Sequence, residues 1–262
     1  MERKMAHFLK GNQSKENTKR MEPFIQMEKK YSLLAKQYAD AFDELYAKVL
    51  QEEHRKEYAK GGQSIHRGVY SPSSLDVITG GCNRGRLLKR LPREGNYDYV
   101  YTFDEKGNLI CSKYSEGIEI LIRKENCVLG LEFDHSAHCL LERISECWYE
   151  DAKLVKYVCA VLNHYDEGKS CTEINVETFD YANDVLEKVN WYRYSPAIKL
   201  LTHEEITLYR DEAGNLHEYA VQEFDLPSFI EPPGIPEQRF KARKNEKVFH
   251  DTHRMAEDES RS

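Results

Sequence analysis

The sequence lacks a long hydrophobic run, a paired-cysteine motif and an excess of positive charge. No apolar run approaches the roughly 18 residues of a membrane-spanning helix. We expect no secretory signal, because the stretch 1–9 is too short and too quickly polar to be its apolar region. The seven cysteines are odd in number and include no Cys-x-x-Cys pair, which argues against a disulfide framework and indicates a reducing compartment. With 17 Tyr and 10 Phe, the chain is nevertheless too aromatic to be disordered. We therefore expect a soluble, cytoplasmic protein with a hydrophobic core and no membrane contact.

Signatures of catalysis and of cofactor binding are also missing. The glycine-rich stretch 80–86 lacks the Gly-Lys-Ser/Thr ending of a phosphate-binding loop, and His203 opens no His-Glu-x-x-His motif. The best candidates for a metal site are His135, His138 and Cys139, with His164 and Cys171 further along, but the His-x-x-His pair has no second pair of matching spacing. We expect neither a cofactor nor a metal, and we favour a non-enzymatic protein. A hydrolase or nuclease effector that uses these three histidines is the alternative.

Charge is unevenly distributed along the chain. Residues 1–95 carry 19 basic and 12 acidic side chains, whereas residues 96–230 carry 12 basic and 26 acidic ones, a net charge of −14. Because this acidic segment would repel phosphates, nucleic acid is not the expected partner. A basic protein would be attracted instead, and electrostatic steering would accelerate its association.

Residues 1–96 divide into three predicted segments. The polar interval 1–20 has no periodicity and is interpreted as a disordered leader. Within 21–60, apolar side chains recur every three or four residues from Phe24 to Leu45, which predicts one long amphipathic helix over residues 22–58. Such a helix either lies across a sheet, with a break, or pairs with a second chain in a structural homo-oligomer. The Gly-, Ser- and Arg-rich interval 61–96 is interpreted as an irregular connection.

From Tyr97 onward the hydrophobic period becomes two, which indicates β-strands. About ten strands are predicted within 97–230, joined mostly by short turns. Because no helical stretch interrupts them, they predict an antiparallel β-meander and not a parallel sheet. The expected fold class is thus α+β, mainly β, with the long helix in front. The charged tail 231–262 follows a proline-rich stretch and is interpreted as disordered.

A short motif recurs within the predicted meander and indicates repeated hairpins. An aromatic residue followed by a turn begins at Phe103, Tyr149, Phe179 and Tyr209, the last three of them at a regular spacing. We expect the aromatic residue to pack on the core, Asp to cap the turn, and Gly or Asn to take the left-handed position. The segment Phe103–Leu109 (Phe-Asp-Glu-Lys-Gly-Asn-Leu) resembles the aromatic-Asp-x-x-Gly-x-Leu signature of Rhs/YD-type repeats, as does Asp211–Leu216.

Over residues 97–225 the chain is similar to uncharacterised bacterial hairpin-repeat proteins, which occur beside polymorphic toxin systems as immunity or accessory proteins. This resemblance implies a protein-binding sheet and not an enzyme. The expected function is therefore a non-enzymatic module whose acidic sheet binds a basic partner such as a toxin.

Acidic residues at the hairpin ends are the predicted partner-binding residues, because the turns of a meander lie along one border of the sheet. They are Asp104, Glu105, Glu150, Asp151, Asp211 and Glu212. Trp148 and Trp191 join them, since large aromatic side chains are natural interface anchors when they are exposed.

Overall fold

A computed structural model of the chain is built on one large antiparallel sheet. The structure describes residues 2–62, 66–74, 84–90, 93, 95–115, 117–135, 138–163, 170–226 and 238–241, except the side chains of residues 2–18, 225, 226 and 241. Two α-helices come first, α1 (Glu2–Tyr38) and α2 (Phe42–Glu52). In this part of the chain, neither helix has a stretch long and apolar enough to span a membrane.

Thirteen strands follow within the described residues, and all belong to the same sheet. Their order in space is β2, β1, β3, and then β4 to β13 in sequence order, so that from β3 onward each strand pairs with the next one. The strands are β1 (Arg55–Lys60), β2 (Arg86–Leu87), β3 (Tyr99–Phe103), β4 (Leu109–Tyr114), β5 (Gly117–Arg123), β6 (Cys127–Asp134), β7 (Leu141–Glu150), β8 (Lys153–Leu162), β9 (Cys171–Ala182), β10 (Val185–Ser195), β11 (Leu200–Arg210), β12 (Leu216–Leu226) and β13 (Gln238–Lys241).

The prediction of a mainly β, antiparallel fold is confirmed, but the predicted number of about ten strands is wrong. The predicted segments coincide with β3–β12. The three further strands lie in the intervals interpreted as helix, connection and disordered tail; the remainder of that tail lies outside the described residues. Pairing explains the difference for β1, which is hydrogen-bonded to β3 from Arg55 to Ala59. Strand formation here depends on the neighbouring strand more than on local propensity.

The single helix predicted over residues 22–58 is also wrong. The structure starts α1 at Glu2, inside the interval interpreted as a disordered leader, and ends it at Tyr38. A short turn follows, in which the amide of Ala41 donates to the carbonyl of Tyr38 at 3.2 Å, and α2 then ends at Glu52. The break keeps both helices on the sheet. The apolar stripe of the helices is therefore covered by the protein's own strands.

Both faces of the sheet carry hydrophobic clusters, because successive side chains of a strand point to opposite sides. On one side, Tyr31 of α1 packs with Leu131 and Ile144. On the other side, Tyr99 and Tyr101 pack against Val69, which belongs to residues 66–74 of the connection between β1 and β2. We call residues 66–74 the strap and the two sides of the sheet the helix face and the strap face.

Candidate partner-binding border and the buried charged cluster

The predicted acidic residues lie along one border of the sheet. In an antiparallel meander, every second turn falls on the same side, so the turns that follow β3, β5, β7, β9 and β11 share this border. Glu105 and Glu212 lie in the first and last of these turns, and Glu150 and Asp151 lie at the turn between β7 and β8. All four side chains are exposed. We call this edge the acidic border.

Asp104 and Asp211, the other two predicted acids, also hold their own turns together. Each accepts a hydrogen bond at Oδ1 from the backbone amide four residues later, at 2.8 Å in both turns. The intervening Gly107 and Gly214 have φ of +80° and +79°, where a side chain would be strained. The two sequence copies that keep the glycine therefore form the same turn.

The two copies without glycine form tighter turns. Asp151 and Ala152 both have positive φ, as do Asn183 and Asp184, which is the pattern of a type I′ hairpin turn. Lys153 forms an ion pair with Asp184 of the neighbouring hairpin. Part of the negative charge of the acidic border is thus neutralised, and the exposed carboxylates named above remain.

The two tryptophans lie on opposite faces of the sheet and do not form one patch. Trp148 of β7 pairs with Lys156 of β8. Trp191 pairs with Glu177 of β9, and the cross-strand row of Glu177 continues to Cys147 of β7. Because Cys147 and Trp148 are successive residues of one strand, their side chains point to opposite faces. Trp148 is 39% exposed. Its Nε1 donates to Glu146 Oε2 at 3.3 Å, so it belongs to the contacts that hold α1.

Glu146 fastens α1 to the helix face. Its Oε2 accepts a hydrogen bond from the hydroxyl of Tyr31 at 2.9 Å and lies 2.5 Å from Lys30 Nζ. The carboxylate is buried, and its two helix partners are adjacent in sequence. This carboxylate therefore stabilises the docking of α1.

The strap face contains a second and larger group of buried charges. Arg67 donates from Nε to Glu119 Oε2 at 2.6 Å and from Nη2 to Glu119 Oε1 at 2.7 Å. The same Nη2 donates to Ser145 Oγ at 2.7 Å. Arg143 of β7 donates from Nη1 to Glu132 Oε2 of β6 at 2.5 Å. Together with His66, these residues are called the charged cluster.

His66 lies between the two carboxylates of the charged cluster. Its Nε2 is 2.9 Å from Glu119 Oε2 and 3.2 Å from Glu132 Oε2, although neither contact has the angles of a hydrogen bond. Its Nδ1 is 3.0 Å from the hydroxyl of Tyr157. The imidazole therefore bridges the strap to strands β5, β6 and β8.

A glycine in the middle of β6 makes room for this arrangement. A Cβ on Gly130 would overlap Glu119 Oε1 and Ser145 Oγ and would lie 2.6 Å from Arg67 Nη2. Only a residue without a side chain fits here.

The far end of the strap is held by another buried carboxylate. Glu177 accepts hydrogen bonds from the hydroxyl of Ser73 at 2.5 Å and from the amide and hydroxyl of Ser74 at 2.9 and 2.8 Å. Arg84 donates to the carbonyl oxygens of Ser71 and Ser73, which joins the segment just before β2 to the strap. The strap is thus anchored at both ends.

The charged cluster is better suited to holding the strap on the sheet than to transferring protons. Burial raises the pKa of Glu119, but the charges of Arg67 and His66 outweigh burial and hold that pKa well below its usual range. For Glu132, burial is likewise outweighed by His66 and Arg143, and its pKa is lowered. A general base works best with a pKa near the operating pH, and these carboxylates stay ionised.

Of the three histidines of the alternative hypothesis, the structure describes His135 and His138. His135 contacts the carbonyl oxygen of Tyr114 through Nε2 at 2.6 Å, and His138 is exposed, while His164 lies outside the described residues. Among the side chains that the structure describes, no group of three or more His, Cys, Asp or Glu could hold a metal ion.

Sequence reasoning missed the charged cluster. Arg67 and His66 belong to the interval interpreted as an irregular connection, and their partners are distant in sequence. The strands did carry a signal of buried charge, since Glu119 and Glu132 each lie between two apolar residues, all of which are buried. Gly130, isolated within a strand, was a second signal of a close approach.

Comparison of the chain with protein-family models, curated proteins and solved structures gives no match.

Proposed function

We propose that this protein is a non-enzymatic, cytoplasmic protein-binding module that captures a basic partner, such as a toxin, as an immunity or accessory protein does. The observation that carries the proposal is the acidic border, where Glu105, Glu150, Asp151 and Glu212 are exposed along one edge of the sheet. Rim charges of this kind act mainly on the association rate. The resemblance of two border turns to Rhs/YD-type repeats supports the toxin-system context.

Buried carboxylates reduce the charge that a partner would meet. Glu119, Glu132, Glu146 and Glu177 belong to the acidic segment 96–230 but are buried. They act inside the protein, on the strap and on α1. The surface field of this segment therefore comes from the exposed acids, and the border is where they are aligned.

The test is the association rate of the partner recovered by pull-down, measured at two ionic strengths. Glu150→Lys combined with Glu212→Lys reverses two exposed border charges, and neither position has the positive φ of Asp151. The control is Glu22→Lys combined with Glu28→Lys on α1, which changes the net charge equally. We expect roughly tenfold slower association for the border variant and little change for the control. An association rate that changes neither with the salt concentration nor with the border reversal would refute electrostatic capture.

A further inference from the structure

A groove of about 580 Å³ opens on the helix face beside the acidic border. It lies between α2 and strands β4 and β5, and the end of α1 closes it near Tyr38. Asp104 and Asn108 of the turn between β3 and β4 also line it. Because this turn belongs to the acidic border, the groove and the border form one continuous surface.

The floor of the groove is apolar. Ile110, Ile120 and Ile122 of the sheet form it, and Leu45 of α2 forms one wall. Leu45 and Ile122 keep part of their surface exposed, although both pack against the hydrophobic core. A concave site with apolar walls and a few charged groups is the usual form of a binding pocket.

Carboxylates outnumber cations around the rim. Glu44, Glu52 and Asp104 contribute negative charge, against Lys48 and Arg123. Lys48 Nζ lies 2.6 Å from Glu44 Oε1, so these two charges neutralise each other, and Glu52 and Asp104 remain against Arg123. Glu52 is exposed at the end of α2, one helical turn after Lys48, with which it interacts electrostatically.

We infer that this groove seats a basic, amphipathic segment of the partner, an inference that rests on the proposed function. Such a segment would place apolar side chains on the isoleucine floor and Lys or Arg side chains against Glu52 and Asp104. Burial of the apolar side chains would slow dissociation, whereas the border would accelerate association. The groove thus supplies the anchoring step that the border alone lacks.

The probe is a short fluorescent peptide of leucine and lysine with one apolar face, titrated into the full chain. Two control peptides are used, one with glutamate in place of lysine and one of the same composition in scrambled order. We expect only the amphipathic lysine peptide to bind, and about tenfold weaker binding to Glu52→Lys and to Ile122→Lys. Asp43→Lys is the matched control, because it makes the same charge change at an exposed position of α2 that does not line the groove, and it should not weaken binding. Because Ile122→Lys alters a partly buried position, its melting temperature is measured alongside, and Glu52→Lys at an exposed position decides the case if that variant unfolds.

The outcomes separate the groove from the proposed function. Unchanged affinity in Glu52→Lys, or equal binding of the scrambled peptide, would overturn the groove proposal. The capture hypothesis is judged independently, by the association rate of the recovered partner with the border variant. A concentration-dependent increase in sedimentation coefficient that Glu52→Lys abolishes would mean that a second copy of the chain fills the groove, and would also overturn the proposal.

Discussion

Arg67 in the strap and Glu119 in β5 form a two-point contact, with Nε 2.6 Å and Nη2 2.7 Å from the two carboxylate oxygens. Both side chains are buried, at 4% and 0% exposure. A planar guanidinium matches a carboxylate in this geometry, which the single ammonium of lysine does not reproduce. The pair therefore fixes the position of the strap as well as neutralising two charges.

Replacing one partner of this pair should cost more stability than replacing both. Glu119→Gln or Arg67→Met alone leaves a buried charge without its partner, and each is expected to lower the free energy of unfolding by about 3–5 kcal/mol. The double variant should lose clearly less than the sum of the two, because no charge is left unpaired. Urea denaturation of the four proteins measures the coupling. Additive losses would show that the two residues do not depend on each other.

Gly130 should tolerate no side chain. In Gly130→Ala, the new methyl group overlaps Glu119 Oε1 and Ser145 Oγ, so the charged cluster must shift, at an expected cost of about 1–3 kcal/mol. Gly107→Ala is the control, because no atom lies within 4 Å of the added carbon and only the strain of a positive φ applies. That strain is expected to cost about 1 kcal/mol. If thermal unfolding shows equal losses for both variants, the close approach at Gly130 is not a constraint.

The sequence predicted the sheet well because the strands from Tyr97 onward carry their own signal. Alternating side chains and short turns depend on residues close in sequence, and β3–β12 coincide with the predicted segments. β1 was missed because Arg55–Lys60 is compatible with the preceding helix, and its conformation depends on pairing with β3. The break between α1 and α2 was missed for a related reason, since Ala39–Ala41 contains neither Gly nor Pro.

The site was predictable only where it lies in turns. The acidic border follows from strand topology, which the hydrophobic period reveals. The charged cluster brings Arg67 together with Glu119 and Ser145, 52 and 78 residues away. No local pattern encodes such contacts, because the strap contributes charge and hydrogen-bond donors instead of a periodic apolar face. The opposite faces of Trp148 and Trp191 likewise depend on strand register.

The two glycine turns of the acidic border should be structural. Gly107→Val and Gly214→Val each place a β-branched side chain at φ near +80°, which is expected to cost about 1–2 kcal/mol. Ala213→Val, one residue before Gly214 and without a positive φ, should be nearly neutral. Denaturation midpoints decide the comparison. Unchanged midpoints in both glycine variants would contradict the turn geometry.

The charged cluster should also give the protein a pH-dependent stability. Burial lowers the pKa of His66, but the charges of Glu119 and Glu132 outweigh burial and raise that pKa above its usual value of 6.5. A raised pKa in the folded state means that folding is favoured by protonation. The contribution of His66 is therefore complete below pH 6.5 and is lost as the pH rises through the folded-state pKa. Glu119 and Glu132 behave oppositely, since their lowered pKa values add stability that is lost only in acid.

His66→Gln should abolish this loss of stability on the alkaline side. The measurement is the free energy of unfolding from about pH 6 to pH 8, a window below the titration of the cysteines, whose pKa values burial raises. His203 works in the other direction, because burial lowers its pKa, so its contribution grows as the pH rises to about 6.5 and is constant above that pH. The difference between the wild type and His66→Gln therefore isolates the imidazole of the cluster, with His203→Gln as the control of opposite sign. Each pKa unit of the shift corresponds to about 1.4 kcal/mol. Parallel pH profiles for the wild type and His66→Gln would show that His66 does not carry a charge between the two carboxylates.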